Sequence, residues 1–151
     1  MAEKVGIVPL TVHFGDQEYI SGVTIHPKKF YEMLVESDEL PTTSQPTPVA
    51  FEEAFEKAVE AGYEVVCLTC SGKLSGTCQS ANIAAAEFAG KVHVVDSNTI
   101  AIALGILVEY AVELAEQGLS AEEIVLKLTI LLPDSPIFRN SLSMKKATLA
   151  I

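Results

Sequence analysis

The chain has 151 residues, 49% of them hydrophobic with few aromatics and no tryptophan, enough to bury the core of one α/β or α-rich domain. Its 20 acidic residues outnumber 10 basic ones, and the formal net charge of −10 excludes nucleic acid and anionic membrane as natural partners, because both need clustered Lys and Arg. No apolar run approaches the roughly 20 residues of a bilayer span. The amino-terminal stretch lacks a small-residue cleavage pattern, and an odd count of three cysteines suits no disulfide framework, so a cytosolic protein is expected.

In chain order, "KVGIVPLTVHF" is β-rich, and "GDQEY" supplies a turn and a second short strand. His26-Pro27 opens a helix, since proline is tolerated at the first helical position, and Phe30, Tyr31 and Leu34 give it an apolar face. "ESDELPTTSQPTP" breaks that helix, because prolines lack the donor a helix interior needs. Thr47 is a suitable N-cap for the next helix, with Pro48 at N1 and an apolar face of Phe51, Ala54, Phe55, Ala58 and Val59 running to Gly62.

"YEVVCLTC" then reads as a buried strand, "SGKLSGT" as a loop, and "CQSANIAAAEFA" as a small-residue helix ending near Gly90. "KVHVVDS" is another buried strand. "ALGILVEYAVELAEQ" is an apolar helix closed by Gly118, and Ser120 with Glu123 forms a capping box for "AEEIVLKLTILL". Helix, strand, helix, strand, helix implies a parallel sheet wrapped by helices. Beyond Pro133 the periodicity decays.

Two hydroxyl-rich segments draw attention. "SGKLSGT" follows a buried strand and precedes a helix, the place where open α/β sheets hold ligands. A helix N-terminus offers unpaired N–H groups and partial positive charge to a carboxylate or phosphate. Ser71, Ser75 and Thr77 add hydroxyls, and Gly72 and Gly76 allow close backbone approach. The plainer alternative is a strand-to-helix turn with Ser75 or Thr77 as the N-cap. The loop is neither a Walker A motif, which fails at Cys67 and Leu74, nor a G-x-S-x-G elbow. In "PTTSQPT", Pro41, Pro46 and Pro48 restrict the backbone and Thr47 is committed to capping, which leaves Thr43, beside Ser44 and Gln45, free to face a ligand.

The C-x-x-C pair Cys67 and Cys70 lies in a strand, so the two side chains face opposite ways and read as small buried hydrophobes. A redox pair would open a helix, and a zinc site would need a second spaced pair. Asp96 and Ser97 end a strand and serve either the same ligand-facing edge or as a cap for the helix that follows.

Taken together, "GIVPLTVHFGDQEYISGVTIHPKKFYEML", "LPTTSQPTPVAFEEAF", "SGKLSGTCQSA" and "VHVVDS" resemble the amino-terminal domain of DegV family proteins, bacterial fatty-acid-binding subunits of fatty acid kinase. The resemblance implies a three-layer, parallel-sheet α/β domain over residues 1–132, lacking the family's first strand and its second domain, with 133–151 an atypical tail or truncated interdomain connection. It implies a long-chain fatty acid as ligand, bound without covalent bond, cofactor or catalysis, and a separate kinase subunit as partner. Carried over by motif, Thr43 and Ser75 become the leading carboxylate ligands, Gly76 and Thr77 supply backbone contacts, and Ser44 adjoins them. A sheet short of a strand exposes an edge, and a homodimer through that edge is expected. Two other classes remain open: a truncated, non-functional fragment or oligomerisation module, and a cysteine-based redox or metal protein.

Overall fold

A computed structural model describes residues 5–134 of the chain. The first layer of organisation is an antiparallel sheet. Strands β1 (Thr11–Phe14) and β2 (Gln17–Ile20) form a hairpin, and β3 (Thr42–Ser44) adds to the free side of β1, giving the order β2-β1-β3. Val12 sits opposite both Tyr19 and Thr43. Val12 and Phe14 point inward with Ile25, and helix α1 (Pro27–Glu36) covers them with Phe30, Met33 and Leu34. Tyr31, expected on that apolar face, instead lies 63% exposed, and Met33 takes the inward place.

The second unit is the expected parallel arrangement. Strands β4 (Val65–Thr69) and β5 (Val92–Asp96) pair in parallel, Val65 opposite Val92 through Thr69 opposite Asp96. Because side chains alternate across a strand, the pair is apolar on both faces. On one face Val65, Cys67, Val92 and Val94 meet helices α2 (Pro48–Glu60) and α3 (Thr77–Ala85) through Phe51, Phe55, Ala81 and Ala84. On the other, Val66 and Leu68 meet helices α4 (Ala101–Glu116) and α5 (Ala121–Asp134) through Leu107, Leu114, Ile124 and Leu128. Helices on both sides of the sheet make three layers. Among the described residues β4 and β5 pair only with each other, so each presents an open edge, the feature on which the homodimer expectation rests.

Local signals fix the helix boundaries. Thr47 Oγ1 accepts from the Ala50 N–H at 3.2 Å, and Pro48 fills N1. Ser120 Oγ accepts from the Glu123 N–H at 3.3 Å while the Glu123 carboxylate accepts from the Ser120 N–H at 2.9 Å, a complete capping box. Gly118, at φ +86°, turns the chain between α4 and α5 in a conformation that a side chain would strain. Helix α5 continues through Pro133 to Asp134, two residues past the expected end, and the tail assigned to 133–151 otherwise lies outside the described residues.

Leu107 and Leu128 are fully buried where α4 meets α5. Leu128→Ala is expected to destabilise the domain by about 3 kcal/mol, the transfer loss of the removed atoms plus the cavity they leave. The denaturant midpoint should fall without a change in slope. An unmoved midpoint would show that this helix pair does not carry the core.

Candidate ligand-binding site

Parallel pairing puts the carboxyl ends of β4 and β5 at one edge of the sheet, and both following loops start there. The β4–α3 loop is rigidly built. Ser71 is fully buried; its N–H donates to the Thr99 carbonyl (2.8 Å), and its own carbonyl accepts from the N–H groups of Leu74 (2.9 Å) and Ser75 (3.1 Å). Its hydroxyl accepts from the Lys73 N–H at 3.3 Å. The Asp96 carboxylate accepts from the Gly72 N–H at 3.1 and 3.2 Å and from the Asn98 N–H at 2.9 Å. Asp96 therefore does not cap α4, whose N-cap Ile100 has no side-chain cap bond; it closes a local turn onto Asn98 and ties the end of β5 to the loop after β4.

At the start of α3 the Ser75 and Thr77 hydroxyls lie 2.8 Å apart, and the Thr77 N–H donates to Ser75 Oγ at 3.3 Å. Gly76 occupies the N-cap position with no side-chain cap bond, so neither Ser75 nor Thr77 is the N-cap itself. The first-turn N–H groups of Thr77, Cys78 and Gln79 have no intrahelical acceptor, and the helix dipole adds partial positive charge at that point. Lys73 is exposed and is the one cation within the two hydroxyl loops.

The Thr43 segment comes to this helix end as a strand, β3, and not as the loop its prolines suggest. Successive strand residues face opposite ways, so Thr43 and Ser44 diverge. Ser44 Oγ lies 2.8 Å from His13 Nε2 on β1, and that contact occupies it. Thr43 is exposed, and its hydroxyl has no hydrogen-bond partner among the described residues. The link between the loops is Gln45. Its Nε2 donates to Ser80 Oγ at 3.0 Å, and its amide lies so close over Gly76 that a β-carbon there would collide with it. Sequence spacing thus joins Ser75, Gly76 and Thr77 directly, the fold attaches the Thr43 segment to them through Gln45, and Ser44 turns away.

Other groups matter less or were not foreseen. Thr69 Oγ1, at the carboxyl end of β4, is buried with no partner among the described residues. Burial first, and neighbouring Cys78 second, push the Cys67 thiol up to about 12. All three cysteines are free, and among the described residues no three His, Cys, Asp or Glu side chains gather into a metal site. An open cavity of about 460 Å³ beside α1 is rimmed by Glu36, Asp38 and Glu39, charges that repel a carboxylate. No helix among the described residues is long and apolar enough to cross a membrane.

The family model described as "Uncharacterised protein, DegV family" matches residues 1–136. The chain belongs to the DegV family. A DegV domain-containing protein of Deinococcus radiodurans is 41% identical over 130 residues, covering 86% of this chain and 46% of that protein. Among solved structures, a fatty-acid-binding DegV family protein of Thermus thermophilus superposes with a TM-score of 0.76 at 40% identity, over 84% of this chain and 45% of its own. The Fatty Acid Kinase (Fak) B3 protein of Streptococcus pneumoniae, loaded with linoleic acid, gives a TM-score of 0.72 at 30% identity, over 83% of this chain and 45% of its own. The mixed α/β fold is therefore a DegV fold, and this chain spans about half the length of the DegV relatives it matches. Those structural neighbours are named for the fatty acids they bind.

Sequence reasoning missed the Gln45–Ser80 bridge and the buried Thr69 hydroxyl. Gln45 stood inside a segment already singled out, and its lack of any local task was the available signal. Neither Ser80 nor Thr69 carries one, since each sits in an ordinary helical or strand pattern.

Proposed function

We propose that this DegV chain contributes the carboxylate-holding half of a non-covalent binding site for a long-chain fatty acid, which it presents to a fatty acid kinase subunit. The observation that carries the proposal is the Gln45 bridge, which seats the Thr43 segment on the amino-terminal end of α3 beside Ser75 and Thr77. A carboxylate accepts several hydrogen bonds, and hydroxyls with unpaired helix N–H groups suit it without forming a covalent bond. The acyl tail provides most of the affinity, at roughly 0.8 kcal/mol per buried CH₂. Exposed apolar side chains at the same edge, Leu74, Ile100 and Ile102, offer it a surface. The fatty acids carried by the Thermus and Streptococcus neighbours support the ligand class, and the name of the latter supports the kinase partner.

Native mass spectrometry of the purified chain tests this first. The expected spectrum contains adducts of C16–C18 fatty acid mass (hexadecanoic or octadecenoic acid), removed by delipidation and restored by adding hexadecanoic acid. Protein that takes up no added fatty acid would refute the assignment.

A further inference from the structure

We infer that Gln45 is a positioning residue that holds the two hydroxyl loops at a single spacing, so that one acyl carboxylate meets both. This deepens the carboxylate reading above and rests on it. The contact has two points. The Gln45 amide lies across Gly76, filling the volume a β-carbon would occupy, and its Nε2 reaches one turn further to donate to Ser80 Oγ at 3.0 Å. Ser80 is 3% exposed, and its N–H donates to the Gly76 carbonyl at 3.0 Å, so bridge and helix start share one anchor. Among the described residues no other side-chain hydrogen bond joins residues 41–47 to residues 71–85.

The fold does not depend on this amide. Helices α2 and α3 pack through Phe51, Phe55, Ala81 and Ala84, and the chain on either side of Gln45 is held independently. Before it, β3 is laddered to β1; after it, Pro46 is buried and Thr47 caps α2. Gln45 itself is exposed. Removing its amide releases only the spacing between Thr43 and the Ser75 loop, and a ligand must then order both loops as it binds. Gly76 is required for the same reason: a side chain there would push the amide off the helix end.

The test compares hexadecanoic acid with its methyl ester, which keeps the tail and loses the charge. The full chain is expected to prefer the acid, and Gln45→Ala to lower acid affinity by about tenfold, the cost of ordering the freed loops on binding, with ester affinity unchanged. Ser80→Ala should lower acid affinity too and by no more, because the Gln45 amide still lies across Gly76, and the double variant should be no worse than Gln45→Ala, which already removes the whole link. Should Gln45→Ala unfold, Gln45→Met keeps the packing on Gly76 and removes only the donor. A variant that retains the wild-type preference for the acid, or loses acid and ester equally, overturns the role of Gln45. A wild-type chain with no preference for the acid overturns the carboxylate reading itself.

Discussion

Replacing Thr43 by valine and Ser75 by alanine together is expected to weaken hexadecanoic acid binding by about a hundredfold or more. A hydrogen bond to a charged group contributes roughly 1.5–3 kcal/mol, and each 1.4 kcal/mol is tenfold in affinity. Two such bonds therefore correspond to a loss of two to four orders of magnitude at most, since water partly replaces them at an exposed position such as Thr43. Valine preserves the β-branched shape that β3 presents opposite Val12, so the strand pairing survives. Ser75→Ala also removes the acceptor for the Thr77 N–H and the partner of its hydroxyl, which costs local stability of the order of a lost cap, about 1 kcal/mol. Thermal unfolding measured beside calorimetric titration separates that loss from the binding effect. Affinity for the acid that survives both substitutions would remove these hydroxyls from the site and leave helix N–H groups and tail contacts as the whole of it.

Much of this fold was legible because its boundaries are set by neighbours in sequence. Thr47 with Pro48, and Ser120 with Glu123, act within four residues, and their hydrogen bonds form as their order along the chain dictates. The apolar runs of β4 and β5 announce burial on two faces, which only flanking helices supply. β3 was illegible for the opposite reason. "TTS" is too short and too exposed to show alternation, and it becomes a strand because β1, about thirty residues earlier, offers it a ladder. The site divides in the same way. Ser75, Gly76 and Thr77 are adjacent in sequence, and a loop between a buried strand and a helix marks them. The divergence of Thr43 from Ser44 follows only once β3 is known to be extended, and the Gln45–Ser80 bridge crosses 35 positions with no local pattern to predict it.

Alkaline pH offers a second large effect, and it bears on the rival thiol chemistry. Cys67 points from β4 into the core between the sheet and helices α2 and α3. Burial first, then the neighbouring Cys78, raise its pKa from 9.0 to about 12. An acid held neutral in the folded state binds a proton there that the unfolded chain releases, so stability is fully present below pH 9 and falls as pH rises toward about 12. The contribution lost over that window is up to roughly 4 kcal/mol, at 1.36 kcal/mol per pH unit of displacement. The measurement is a difference: denaturant unfolding of the wild type and Cys67→Ala from pH 7 to 11. Alanine costs stability at neutral pH by leaving a small cavity, but its stability should decline less steeply above pH 9, and the two curves should converge. Parallel curves would mean that Cys67 titrates alike in the folded and unfolded chains. The same burial leaves only about one thiolate in 10⁵ at pH 7, so a disulfide reagent added to folded protein should leave Cys67 unmodified. A nucleophilic or redox cysteine needs the thiolate and access to solvent together, and β4 denies Cys67 the first while α2 and α3 restrict the second.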